Sequence, residues 1–151
     1  MDYFEIEGKN QLFGDVNISG AKNAVLPLMA ASILNNDELT ISNVPNLSDS
    51  ITMSNLLKGM GSEVDLSSGK ICINSKSLNN PYAPYDLVRT MRASFYVLGP
   101  LLAKFGEAKV SLPGGCAWGP RPVDFHIEGI KQLGATVDLE DGYIIAKSNQ
   151  L

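Results

Sequence analysis

Aromatic side chains make up only 7% of this 151-residue chain, and charged ones only 19%. There are three arginines (Arg89, Arg92, Arg121) and a net charge of −4, so a broad basic surface for nucleic acid or anionic membrane is excluded. Any anion site must be local. A single histidine, His126, and two cysteines, Cys72 and Cys116, leave no ligand spacing for a metal, and none is expected. Two cysteines far apart do not make a disulfide framework and suit a reducing compartment. The longest apolar runs, AVLPLMAASIL and ASFYVLGPLLA, fall short of a bilayer. The start, MDYFEIEG, is acidic from its second residue and reads as neither a secretory nor a transit sequence. These absences leave a cytoplasmic protein as the expectation. Its 44% hydrophobic content suffices for one packed domain.

The chain repeats itself. GMGSEVDLSSGKI (59–71) overlies QLGATVDLEDGYI (132–144) at an offset of 73, with six of thirteen positions identical. The same offset carries Pro27 to Pro100, Leu28 to Leu101 and Ala30 to Ala103. Each copy opens with an apolar helix, 24–34 or 93–105, followed by a strand, 39–44 or 108–113. An amphipathic helix comes next, near 48–60 or 124–133, ended by Gly61 or Gly134. A hairpin with a glycine turn closes the unit. The first helix of each copy has almost no polar face, so burial on all sides is expected, with a kink at its proline. The fold class is α/β (α+β), with helices enclosed by small mixed sheets.

Chemistry concentrates in loops. SLPGGCAWGPRP (111–122) is too rich in Gly and Pro for helix or strand, yet it holds Cys116. A loop cysteine is either space-filling or a displayed thiol, and a nearby cation such as Arg121 would favour the thiolate. Cys72, in the alternating ICIN, reads as core. Lys22 and Asn23 follow Gly20-Ala21 at a strand-to-helix junction. They form either an anion site at a helix N-terminus or a solvated lysine with Asn23 as N-cap. Arg89 and Arg92, three apart, would share a helix face. Arg121, between prolines, is stiffly held for a phosphate. Asp124 could cap the next helix. His126, just inside that helix, reads as solvated or capping and not as a general base. SGAKN and PGGC lack the ending of a P-loop.

Three stretches, ISGAKNAVLP (18–27), APYDLVRTMRAS (83–94) and SLPGGCAWGPRPVDFHIEGIKQLGA (111–135), resemble the UDP-N-acetylglucosamine 1-carboxyvinyltransferases of the enolpyruvyl transferase family. The resemblance implies an inside-out α/β barrel of βαβαββ repeats. Residues 1–21 would be strands of a second, mostly absent domain, and 22–151 two of three repeat units. It implies transfer of an enolpyruvyl group from phosphoenolpyruvate to the 3'-hydroxyl of UDP-N-acetylglucosamine, with no cofactor, in peptidoglycan precursor synthesis. Cys116 would be the proton donor and the target of fosfomycin. Lys22, Asn23 and Arg121 would meet phosphoenolpyruvate, and Arg92, Arg121, Pro122, Val123, Asp124 and Phe125 the nucleotide-sugar. Arg89 matches no such position. Ala117, Trp118, Pro120 and Tyr96 depart from the family pattern. The family's length implies a partial sequence, whose site the remainder of its own chain would complete. Two alternatives stay open: an enolpyruvylshikimate-phosphate synthase-like enzyme, against which the GAKN turn and the loop cysteine speak, and a non-catalytic fragment of the same fold.

Overall fold

A computed structural model describes residues 3–89, 91–113, 123–149 and 151. Residues 3–21 form neither helix nor strand. The first unit then runs through α1 (Lys22–Ala31), a 3-10 turn (Ser32–Leu34), β1 (Glu38–Ser42), α2 (Ser48–Gly59), β2 (Glu63–Ser67) and β3 (Lys70–Asn74). The second contains β4 (Tyr82–Ala83), α3 (Tyr85–Val88), a 3-10 stretch (Arg92–Val97), α4 (Leu98–Phe105), β5 (Glu107–Ser111), α5 (Asp124–Gln132), β6 (Thr136–Glu140) and β7 (Tyr143–Lys147).

The two sheets share a three-stranded antiparallel pattern, to which the second adds one strand. The first has the order β1-β3-β2 and is antiparallel throughout. The second has the order β4-β5-β7-β6, with β4 parallel to β5 and the rest antiparallel. The hairpins β2–β3 and β6–β7 correspond residue for residue at the offset of 73, with left-handed turn glycines Gly69 and Gly142 in matching places. The helices before them end alike. Ser62 N–H reaches Leu57 C=O and Gly61 N–H reaches Lys58 C=O, while Ala135 and Gly134 repeat both bonds onto Ile130 and Lys131. This double closure requires a residue of positive φ, supplied by Gly61 (103°) and Gly134 (99°).

Between those landmarks the offset changes. β1 and β5, ELTIS and EAKVS, match at 69, as their pairing with β3 and β7 requires. The first unit is longer between helix and strand, the second between strand and helix. Residues 43–47 join β1 to α2, whereas residues 112–123 join β5 to α5. The added length falls on the segment that carries Cys116 and Arg121.

The core is where helices meet sheet faces. Ile71 and Ile73 of β3, and Ile144 and Ala146 of β7, meet Met53, Leu56 and Leu57 of α2 and Leu98, Leu101 and Leu102 of α4 in one cluster. Each large aliphatic side chain so buried contributes about 1.5–3 kcal/mol. Lys104 of α4 ties the units together, donating from Nζ to the carbonyls of Ile33 (2.8 Å) and Ser75 (3.0 Å).

Four expectations need correction. The helix expected over 93–105 divides into a 3-10 stretch and α4. Pro100 has no N–H for the Tyr96 carbonyl, so the regular α ladder is interrupted there. α1 buries one face only: Val25, Leu26, Met29 and Ala30 are inside, but Leu28 is 49% exposed. Arg89 and Arg92 do not share a helix face, because Met91 is extended (φ −147°) between two separate turns. Cys72 is not core. Alternation that sends Ile71 and Ile73 inward turns Cys72 outward, where its Sγ lies 3.5 Å from Thr40 Oγ1 and the side chain is half-buried.

Candidate active site

The turn into α1 is set by a close backbone approach. Gly20 N–H donates to Asn43 C=O at 3.0 Å, and Asn43 Nδ2 donates to the Ile18 carbonyl at 3.4 Å. A Cβ on Gly20 would stand 2.1 Å from that Asn43 oxygen, so no other residue fits without movement. Ala21 is extended and is the N-cap residue, without a side-chain capping bond. Asn23 is therefore not the cap. It and Lys22 lie in the first helical turn, at the positive end of the helix dipole, where Ala24 and Val25 N–H already donate to the Ala21 carbonyl.

Lys22 forms an ion pair with Asp49, in the first turn of α2. The lysine is half exposed and the aspartate 24% exposed, so the pair adds only about 0.2–1 kcal/mol to stability. Its consequence is geometric: it holds the ammonium group between two helix starts. Sequence reading missed Asp49, because a contact spanning 27 positions leaves no local pattern. Position 2 of a helix is a favourable place for a carboxylate, and that was the available signal.

Lys22, Asn23 and Asp49 form one side of a cavity of about 300 Å3. Arg92, Phe95 and Tyr96 of the 3-10 stretch, with Val123 and His126 at the start of α5, form the other. Among the described residues Arg92 has no ion-pair partner, so the cavity holds one compensated and one free cation. Arg89 turns elsewhere: it faces Asp86 at 3.7 Å and lies over the Tyr85 ring. His126 is no cap. Its ring packs edge-on to Phe95 (centroids 5.7 Å) and to Tyr96 (6.4 Å). Among the described residues no group of three or more His, Cys, Asp or Glu could hold a metal.

Of the residues singled out in the sequence, Lys22, Asn23, Arg92 and Val123 meet in this cavity. Asp124 is the first residue of α5 and not its cap; it and Phe125, 89% exposed, lie outside the cavity lining. Cys116, Arg121 and Pro122 lie outside the described residues. A cavity with cations from separate elements, at two helix starts, suits a small anionic ligand whose charge lies at more than one point.

The arrangement of sheets and helices is that of enolpyruvyl transferases. The enolpyruvyl transferase NikO from Streptomyces tendae superposes with a TM-score of 0.79 at 22% identity, over 95% of this chain and 32% of that one. EPSP synthase from Acinetobacter baumannii does so at 0.66 and 14% identity, over 91% of this chain and 32% of that one. The family model described as EPSP synthase (3-phosphoshikimate 1-carboxyvinyltransferase) matches residues 6–149, and the chain belongs to that family. Among curated relatives, a protein of Psychrobacter arcticus named UDP-N-acetylglucosamine 1-carboxyvinyltransferase is 53% identical over 98% of this chain and 35% of its own length. One of the same name from Idiomarina loihiensis is 56% identical over 97% and 35%. The chain thus spans about a third of the length of these relatives.

Proposed function

We propose that this chain forms the part of a UDP-N-acetylglucosamine 1-carboxyvinyltransferase that grips phosphoenolpyruvate and the nucleotide-sugar, in the cytoplasm and at the entry to peptidoglycan precursor synthesis. One observation carries the reading. Lys22 and Asn23 on one element and Arg92 and Val123 on others, each assigned to a substrate by resemblance, line one cavity.

The chemistry is an addition and an elimination. The sugar 3'-hydroxyl oxygen bonds to C2 of phosphoenolpyruvate and releases its proton, while C3 takes a proton and becomes a methyl group. C3 then returns a proton, the C2=C3 double bond re-forms, and the C2–O bond to phosphate breaks. Cations must hold the phosphate as its charge grows, and a donor must stand near C3. Lys22, with Arg121, serves the phosphate, and Cys116 gives the proton to C3. Asp49 holds Lys22 in place before the substrate arrives, so less side-chain entropy is lost on binding. The rest of the chain's own protein completes the site, including the group that takes the hydroxyl proton.

Calorimetric titration of the complete gene product tests this division of labour. Lys22→Ala should weaken phosphoenolpyruvate, measured with nucleotide-sugar present, by tenfold or more, given about 1.5–3 kcal/mol for a charged hydrogen bond. Arg92→Ala should weaken UDP-N-acetylglucosamine in the same way. Unchanged affinities in both variants would contradict the assignment.

A further inference from the structure

His126 is unassigned by the reading above, and its surroundings give it a task. Its imidazole carbon framework rests edge-on against Phe95, which is buried, and Tyr96, which is half exposed. The residue itself is exposed and lines the same cavity as Arg92. Among the described residues no hydrogen bond or ion pair engages its ring. Its backbone is fixed, since His126 N–H donates to Val123 C=O at 3.0 Å in the first turn of α5. The ring is thus held by packing at one side of the cavity, with its polar atoms uncommitted among the described residues.

The cavity is not symmetric in charge. On the α1 side Lys22 is matched by Asp49; on the other side Arg92 is unmatched among the described residues. An anionic group gains more beside Arg92, and His126, in the lining of the same cavity, is a side chain that can share it. Imidazole offers an N–H in either protonation state, so a phosphate oxygen finds a donor there whatever the pH.

From this juxtaposition we propose that His126 is a specificity-determining residue that donates a hydrogen bond to a phosphate oxygen of the nucleotide-sugar, acting with Arg92. The proposal rests on the functional reading above. Phenylalanine and glutamine at position 126 separate its parts: the first keeps an aromatic ring against Phe95 and Tyr96 without a donor, the second keeps a donor without the ring.

The test titrates the complete gene product with UDP-N-acetylglucosamine, with UDP, and with phosphoenolpyruvate in the presence of nucleotide-sugar at saturation. His126→Phe should melt like the wild type, bind UDP-N-acetylglucosamine and UDP roughly tenfold more weakly, and keep its phosphoenolpyruvate affinity. His126→Gln should recover a substantial part of the nucleotide affinity. A His126→Phe protein that binds both nucleotides like the wild type overturns the proposal alone, as does loss of affinity that Gln does not restore. A wild-type protein that binds neither nucleotide overturns the functional reading, and this proposal with it.

Discussion

Replacing Gly20 by alanine tests whether the entry to α1 positions the site. The added Cβ would lie 2.1 Å from the Asn43 carbonyl oxygen, and opening that contact to about 3.0 Å needs a shift of about 0.9 Å. α1 cannot absorb it as a body, because Val25, Leu26 and Met29 are locked in the core. The shift therefore falls on residues 20–23. The Gly20–Asn43 hydrogen bond is lost, costing about 0.5–1.5 kcal/mol, and overpacking adds about 1–3 kcal/mol. A sum of about 1.5–4.5 kcal/mol lowers the melting temperature by roughly 3–18 °C for a unit of this size, and by less in a longer protein. Lys22 moves with the turn, and a misplacement near 1 Å costs about 100-fold in turnover. Gly129→Ala is the matched control. Gly129 lies inside α5, nothing lies within 4 Å of the added carbon, and helix propensity should stabilise that variant by about 0.5–1 kcal/mol. Scanning calorimetry and phosphate-release kinetics on the complete gene product read both effects. A Gly20→Ala protein that melts and turns over like the wild type would refute the reasoning.

Two further outcomes follow from the same geometry. Fosfomycin should modify Cys116 faster than Cys72 in the native protein; since Cys72 is half-buried on an outer sheet face, any preference must come from the surroundings of Cys116, and equal labelling by mass spectrometry would contradict its role. The Tyr82 and Tyr143 hydroxyls lie 3.0 Å apart, and that bond raises the pKa of Tyr82 and lowers that of Tyr143, which the Tyr85 N–H and Lys109 also favour as an anion. Between the lowered Tyr143 value and about 10 the folded protein binds fewer protons than the unfolded one, so stability should rise with pH; above about 10 Tyr82 retains its proton in the fold and the trend should reverse. Denaturant melts across that range should show the rise and fall in the wild type and lose the early rise in Tyr143→Phe; identical profiles would contradict the pairing.

Much of this architecture was legible because its signals are local. Gly61 and Gly134 end helices since their backbone needs positive φ, and the hairpins follow from alternation around Gly69 and Gly142. The site was legible only by halves. Lys22 and Asn23 stood out at a glycine turn, but Asp49 acts across 27 positions and His126 only through rings brought beside it by the fold. Helical spacing misled at Arg89 and Arg92, where extended Met91 breaks the period. Cys72 faces outward by its own pattern, since the phase that buries Ile71 and Ile73 turns the residue between them away from the core. The uniform offset of 73 hid two opposed length changes, one of which enlarges the 112–123 connection.

The most direct measurement follows the products made by the complete gene product from phosphoenolpyruvate and an acceptor. With UDP-N-acetylglucosamine, proton and phosphorus NMR should show a vinyl ether at the sugar 3'-oxygen and inorganic phosphate in equal amounts, both abolished in Cys116→Ala. Phosphate and vinyl ether formed with shikimate 3-phosphate instead, or no product with either acceptor, would contradict the account.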